Sequence, residues 1–248
     1  MRRSRRLIAL LSVMYLLFLC ASAPASLLGR AFSLPPGVAL DQLQGSLWHG
    51  SAGKLSIASR LGIIQVNDVH WAVQWSYLLR GELALQVDSA AAAGTLSVAR
   101  GFGGWRLLHA DLALPAADLA QILPALAIWQ PVGEVQLLSD GFAPNAAAPG
   151  AVQVSWRNAG VNLSPLQPLG DYRLRLSGAG DKITARLETE SGKLQLAGQG
   201  EYSPQRGLIF SGSAQAETKY AQELQALLVA LGKDRGDGVH ALSLRQPY

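Results

Sequence analysis

Apolar and polar residues alternate along most of the chain after residue 43, and this pattern constrains the fold more than any other feature. In "YRLRLSG" the apolar Tyr172, Leu174 and Leu176 alternate with Arg173 and Arg175. Successive side chains of a β-strand point to opposite faces, so such a segment has one apolar and one polar face. Turn-forming residues separate the alternating segments, as antiparallel hairpins require. The sequence therefore predicts a mainly β protein with an extended, twisted antiparallel sheet.

The large residues of these segments predict a single apolar face. "WAVQWSY" and "ELALQV" each place their apolar residues in phase, with Trp71, Trp75 and Tyr77 in the first segment. A sheet must cover its apolar face, and two short helices are not enough for a sheet of this length. We therefore expect an open face or groove that takes either an acyl chain or a partner protein. Its candidate residues are Trp71, Trp75, Leu83, Leu85, Trp156, Leu174 and Leu176.

Two segments of the body have helical spacing instead. A helix over residues 116–128 follows Pro115, and Pro124 is expected to kink it. A second helix over residues 218–231 has Thr218 as its expected cap and Gly232 directly after it. We expect each helix to pack on the apolar face or over one end of the sheet.

The order of these elements suggests an internal duplication. A first β half, residues 43–138, and a second, residues 151–248, each contain a tryptophan-bearing strand, further strands and one helix. "GTLSVARG" in the first half matches "GKLQLAGQG" in the second. Residues 139–150, rich in alanine and proline, are the expected hinge or loop. The two halves form either one continuous sheet or a groove-like one, and two similar β meanders without duplication are the alternative.

The N-terminus predicts export. Residues 1–6 contain Arg2, Arg3, Arg5 and Arg6, and the 22 residues from 7 to 28 carry no charge. An apolar helix of this length spans a bilayer, and the basic cluster before it is expected to stay cytoplasmic. Residues 29–42 would link this single-pass anchor to the body. A cleaved signal peptide is the alternative, because Ala23 to Ala25 fit a cleavage site. With either interpretation the body is exported across the membrane.

Composition excludes several functions for the exported body. The four N-terminal arginines account for the whole net charge of +4, so the body is neutral and nucleic acid is not an expected partner. Cys20 is the only cysteine and lies in the apolar segment. The body therefore has no disulfide and no thiol chemistry.

The chemistry-bearing residues do not predict an enzyme. His49, His70, His109 and His240 have no metal-ligand spacing, and no cofactor or metal is expected. The glycine-lysine pairs lack the spacing of a phosphate loop, and no nucleophile elbow is present. A Ser-His-Asp triad assembled from distant positions stays open, because such triads are not local in sequence.

A family resemblance comes from the segment "LQGSLWHGSA", residues 43–52. It is similar to the L-x-G-[TS]-[LV]-W-x-G-x-A signature of the type II secretion system protein N family. "VHWAVQWSYLLRGELAL", "LGDYRL" and "LQALLVALGKDRGDGVHALSL" resemble later parts of that family in the same order. The matching signature residues are assigned structural roles; they are Leu43, Gly45, Leu47, Trp48 and Gly50.

The resemblance implies a function that the residues alone do not. It implies a non-enzymatic inner-membrane component of the machinery that exports folded proteins from the periplasm across the outer membrane. Its partners would be other components of type II secretion and the inner membrane. The alternative expectation, from the apolar face, is a periplasmic module that binds lipid or another amphiphile.

Overall fold

One antiparallel sheet forms the body of the protein. The computed structural model describes residues 11–15, 18–19, 21–27, 37–59, 62–90, 92–122, 126–143, 149–179 and 182–246. Within these residues a 14-stranded sheet follows chain order from β1 to β12, then β14 and β13. The prediction of a mainly β, antiparallel fold is confirmed, and the sheet runs without interruption through both proposed halves.

The strands are long for a meander, and most are joined by short turns. Their bounds are β1 Val38–Gly45, β2 His49–Ser59, β3 Gly62–Val73, β4 Leu83–Ser89, β5 Ala92–Gly101, β6 Gly104–Pro115, β7 Pro131–Ser139, β8 Ala151–Val161, β9 Gly170–Ala179, β10 Lys182–Gly192, β11 Leu194–Ser203, β12 Gly207–Ala216, β13 Lys233–Asp234 and β14 Val239–Gln246.

Successive connections of an antiparallel meander lie at opposite ends of the sheet. The β1–β2, β3–β4 and β5–β6 connections therefore share one end, which we call the corner end. The β6–β7, β8–β9 and β12–β14 connections share the other, which we call the helix end. We use these two names below to locate the helices and the exposed apolar side chains.

Three short α-helices lie in the described parts of these connections. Helix α1, Trp75–Leu78, lies at the corner end, whereas α2, Ala116–Ile122, and α3, Gln225–Leu231, lie at the helix end. Helix α2 contacts β3, β6 and β7, and α3 contacts β12 and β14. Helices α2 and α3 thus pack over the helix end of the sheet, as the sequence suggested for the two predicted helices.

Several local details differ from the sequence expectations. The strand that was expected to run through Trp75 ends at Val73, and Trp75 begins α1. A 3-10 turn, Thr218–Tyr220, precedes α3, so the helix proper begins at Gln225. Gly232 ends α3 in an extended conformation, and a Cβ there would lie 1.9 Å from the carbonyl oxygen of Ala241. Close packing therefore explains this glycine better than a left-handed cap does.

The internal similarity is clear in one block and broken in another. "GTLSVARG" contributes β5, followed by β6, α2 and β7, and "GKLQLAGQG" contributes β11, followed by β12, α3 and β14. Before these blocks the halves differ, because two strands, β9 and β10, lie between the β8–β9 loop and β11, whereas only β4 lies between α1 and β5.

The main core lies under α3. Its buried cluster brings together residues of β8, β11, β12 and α3 with one residue just before β9 and one just before α3, namely Val161, Leu169, Leu194, Ala214, Ala216, Leu224, Leu227 and Leu228. Leu224 is completely buried. The 3.6-residue period brings Leu224, Leu227 and Leu228 to one side of the helix, facing the sheet.

Part of the N-terminal region that carries the predicted anchor lies outside the described residues. The four arginines at positions 2, 3, 5 and 6 lie outside the described residues, as do residues 7–10, 16–17, 20 and 28 of the apolar segment. Among the helices that are described, none is long and apolar enough to cross a membrane. The described part of the hinge stops at residue 143 and resumes at 149.

Candidate functional site

The segment that carries the family resemblance forms the β1–β2 corner. Gly45 ends β1 with φ = 81°, a left-handed conformation that favours glycine. A Cβ on Gly50 would lie 2.4 Å from Cζ2 of Trp71, so the indole ring requires glycine at that position. Leu43 pairs with Ala52 in the hairpin. Gly45 and Gly50 thus occupy positions where the backbone conformation and the Trp71 ring favour glycine.

Leu47 connects this corner to two other parts of the chain. Its carbonyl oxygen accepts a hydrogen bond of 3.1 Å from Nε1 of Trp71. Its backbone amide donates to the carbonyl oxygen of Ala23 at 2.8 Å, and the amide of Ala25 donates to Gly45 at 3.0 Å. Ala25 is buried. Residues 23–25, at the C-terminal end of the apolar segment, are therefore held against the corner end of the sheet.

Trp48 packs on the next connection at the same end. Its ring centroid lies 4.6 Å from that of Trp75, with the planes tilted by 37°. The Trp48 carbonyl also accepts a hydrogen bond from the amide of Val73. The pair joins the β1–β2 corner to α1, and Trp75 remains half exposed.

His49 contributes its backbone to this corner. The Ser46 hydroxyl accepts a hydrogen bond from the backbone amide of His49 at 3.0 Å and lies 3.2 Å from its carbonyl oxygen. These contacts involve the backbone of His49 and complete the turn. The imidazole ring takes part in no ion pair among the described residues, and the side chain is exposed.

The remaining histidines are dispersed. His70 and His109 lie 3.7 Å and 3.8 Å from single exposed carboxylates, Asp88 and Asp140. His240 is buried, with Nδ1 3.0 Å from the carbonyl oxygen of Gly232. In the part of the chain that the structure describes, no group of three His, Cys, Asp or Glu side chains could hold a metal ion.

The predicted apolar residues lie on one face of the sheet. Directly paired residues share a face, and one such row crosses the sheet from β5 to β14: Gly94, Leu112, Leu137, Val154, Leu174, Leu187, Gly198, Gly212 and Leu242. Alternation and pairing add Trp71, Leu83, Leu85, Trp156 and Leu176 to the same face. Trp75 belongs to α1 instead.

In the second half of the sheet, the described residues of this face carry no charged side chain. From β8 to β12 its described residues are apolar, aromatic, glycine or Thr189, with no acidic or basic side chain among them. The Phe210 ring lies over Gly198 and Gly200, because a Cβ on either glycine would fall within 3.0 Å of it. The two glycines therefore leave room for the Phe210 ring against the sheet.

The opposite face is polar and rich in ion pairs. Arg173 pairs with Glu190, Lys182 with Glu201, and Arg186 with Glu188. A depression of about 510 Å³ on this face is lined by Arg175, Arg186 and Glu201 among others. The two faces thus differ in chemistry along the whole second half.

Sequence patterns missed the polar contacts that fix the β8–β9 region. Burial raises the pKa of Tyr172, whose hydroxyl donates to the carbonyl oxygen of Leu194 at 3.0 Å. Hydrogen bonds from the Asn158 amide and the Ser191 hydroxyl lower the pKa of the Asp171 carboxyl. Neither partner is close to Asp171 in sequence, so no local signal predicts these bonds.

Together these features define an open antiparallel β-meander protein with one apolar face and a corner that holds the N-terminal segment. A family model described as "Type II secretion system (T2SS), protein N" matches residues 36–243. The chain therefore belongs to the type II secretion system protein N family, and the resemblance seen in the sequence is confirmed.

Relatives with the same description cover nearly the whole chain. The chain is 27% identical to "Type II secretion system protein N" of Aeromonas hydrophila over 96% of both proteins. It is 26% identical to the protein of that name from Pectobacterium carotovorum subsp. carotovorum, over 93% of this chain and 92% of the relative. The corresponding Klebsiella pneumoniae protein is 29% identical over 89% and 86%. No solved structure matches the chain significantly.

Proposed function

We propose that this protein is a non-enzymatic, single-pass inner-membrane component of type II secretion with a periplasmic body. It supports export of folded proteins across the outer membrane by binding other components of the machinery. The observation that carries the proposal is the family match, which extends over residues 36–243 and so spans the sheet from β1 into β14.

The sheet offers a surface for such contacts at its C-terminal edge. β13 pairs only with Ala241 and His240 of β14, so residues 242–246 have no outer strand partner among the described residues. An unpaired strand edge can accept a strand from another protein. Leu244, which is 51% exposed, lies on this edge strand.

Deletion and complementation test the role in secretion. Deleting the gene in its own host should reduce the appearance of secreted proteins in the medium, and the wild-type gene should restore it. His49→Ala should restore secretion fully, because the imidazole is exposed and forms no ion pair with any residue that the structure describes. A His49→Ala protein that folds normally but does not support secretion would contradict the non-enzymatic proposal, and normal secretion without the gene would contradict the role itself.

Photocrosslinking tests the edge as a binding surface. A photoreactive amino acid in place of Leu244 should capture another secretion component in the cell. Leu163 is a matched control, because it is a leucine of similar exposure, 48%, in the β8–β9 connection. Equal crosslinking at the two positions, or none at Leu244, would argue against the edge.

Amphiphile binding is the second candidate function, and the charge-free face favours it. An acyl chain would lie on the row that includes Leu174 and Leu187. Native mass spectrometry of the extracted wild-type protein should then detect bound lipid. Leu174→Trp, which fills the face while staying apolar, should reduce that lipid, whereas Arg175→Ala on the polar face should not. Wild-type protein that carries no lipid would exclude this candidate.

A further inference from the structure

The corner end of the sheet exposes a group of large apolar side chains that the secretion role does not explain. We call this group the tip patch and define it as Trp75, Leu78, Leu79, Phe102 and Trp105. Leu79 is 93% exposed and Phe102 is fully exposed. Side chains of this size are rarely left so exposed together unless they meet a membrane or a partner.

The members of the tip patch come from two neighbouring connections at the corner end and from Trp105, near the start of β6. Trp75, Leu78 and Leu79 belong to the β3–β4 connection, and Phe102 belongs to the β5–β6 turn. The Phe102 ring lies 3.6 Å from where a Cβ on Gly81 would be, so the turn lies beside that connection. A Cβ on Gly103 or Gly104 would meet no atom within 4 Å, which shows that the turn projects outward.

Two arginines give this surface a positive charge. The guanidinium carbon of Arg80 lies 5.8 Å from the centroid of Tyr77, and that of Arg100 lies 5.2 Å from Trp105. Neither arginine forms an ion pair within the described ranges, while Glu82 is paired with Arg106. Aromatic rings beside arginines are typical of the membrane–water interface, where cations meet lipid phosphates.

The position of the N-terminal segment indicates which surface the tip patch meets. The hydrogen bonds of Ala23 and Ala25 to the β1–β2 corner hold the end of the apolar segment at the corner end. Trp48 in that corner packs on Trp75 of the tip patch. An anchored chain would therefore leave the bilayer beside the tip patch, with the sheet extending away from the membrane.

We propose that the tip patch inserts into the interfacial region of the phospholipid bilayer that holds the N-terminal segment. Phe102 and Leu79 enter the boundary of the acyl chains, and Arg80 and Arg100 bind anionic headgroups. The tip patch and the anchor then fix the orientation of the sheet relative to the membrane. This inference rests on the anchoring in the proposed function and not on the role in secretion.

Site-specific fluorescence in vesicles tests the inference with the full chain. In a Cys20→Ser background, single cysteines replace Leu79 or Phe102 and carry an environment-sensitive label. Matched controls replace Leu163 and Val229, which are 48% and 64% exposed and belong to connections at the helix end. All four positions are exposed, so labelling should leave the fold intact. The protein is reconstituted into phosphatidylethanolamine–phosphatidylglycerol vesicles, with and without nitroxide groups on the acyl chains.

We expect nitroxide quenching to be at least about twofold stronger at positions 79 and 102 than at 163 and 229, because interfacial anchors reach the acyl-chain boundary. Replacing both Arg80 and Arg100 with glutamate should weaken that quenching. Labels that all remain in water, or labels at 79 and 102 that are shielded from aqueous quenchers but not reached by the lipid nitroxide, would overturn the tip patch as a lipid surface. Failure of the chain to enter vesicles at all would instead contradict the anchor.

Discussion

The C-terminal half of the sheet, β8 to β14, buries leucines in the interface between the sheet and α3. The N-terminal half, β1 to β7, buries mostly small residues. The buried apolar residues of β1 to β7 and α2 are Ala52, Val69, Val73, Ala84, Ala99, Ala110, Leu114, Ala116 and Val135. In the C-terminal half they include Leu169, Leu194, Leu224, Leu227 and Leu228. Burial of apolar area is the main favourable term in folding, so the C-terminal half is expected to be the more stable part.

The large apolar residues of the N-terminal half are instead concentrated on its surface. The tip patch lies there, and the C-terminal half has no comparable group among its described turns at the corner end. The difference indicates that the two halves serve different purposes. The C-terminal half buries a leucine core, whereas the N-terminal half keeps large apolar side chains exposed, as the proposed membrane contact requires.

The largest expected effect tests the C-terminal core. Leu224→Ala should lower the free energy of unfolding by about 2–5 kcal/mol, because it leaves a cavity at a completely buried position. Val229→Ala, on the same helix but 64% exposed, should change it by less than about 0.5 kcal/mol. Chemical denaturation followed by tryptophan fluorescence measures both. Equal costs would mean that α3 does not cover a core.

A smaller effect tests the corner of the N-terminal half. Gly50→Ala should destabilise the protein by about 1–3 kcal/mol, because its Cβ would overlap Cζ2 of Trp71. Gly103→Ala provides the control, since nothing lies within 4 Å of a Cβ there. Thermal unfolding of both variants checks the prediction, and a stable Gly50→Ala protein would contradict the assigned role of the signature glycine.

A paired substitution tests whether the halves are equivalent at their tryptophans. Nε1 of Trp71 donates to Leu47 at 3.1 Å, and Nε1 of Trp156 donates to Val132 at 2.9 Å. In both cases the acceptor lies 24 residues earlier in the chain. Trp71→Phe and Trp156→Phe should each cost about 1 kcal/mol from the lost hydrogen bond and the smaller ring. A large cost for only one of them would limit the duplication to the β5–β7 and β11–β14 blocks.

The smallest effect concerns acid stability in the C-terminal half. Because folding lowers the pKa of Asp171, its ionised form stabilises the protein above the unfolded pKa of about 3.9. This contribution is lost as the pH falls through the lower folded pKa. Asp171→Asn should therefore melt below wild type at neutral pH, and the difference should shrink below about pH 4. A difference that is constant from neutral to strongly acidic pH would exclude the carboxylate as its cause.

The alternating segments made most of the sheet predictable. In "YRLRLSG" the arginines alternate with apolar residues, which predicted that the two kinds of side chain lie on opposite faces. The register confirms that Leu174 and Leu176 face away from the two arginines. The helix of residues 225–231 could be located because its leucines recur at helical spacing. Gly45 and Gly50 also had a local signal, since the family signature includes both glycines of that corner.

Other features depend on contacts between residues far apart in the chain. The strand through Trp71 ends before Trp75, because Trp48 and the β3–β4 connection come together at the corner end. Phe102 looked like part of a glycine-rich turn, and only the meander places it beside α1. Sequence alone determined the strands, their two faces and the family, because these depend on local alternation and on a short signature. The tertiary structure decided which apolar residues are buried and which form the tip patch, because burial depends on strand pairing and helix packing between distant segments.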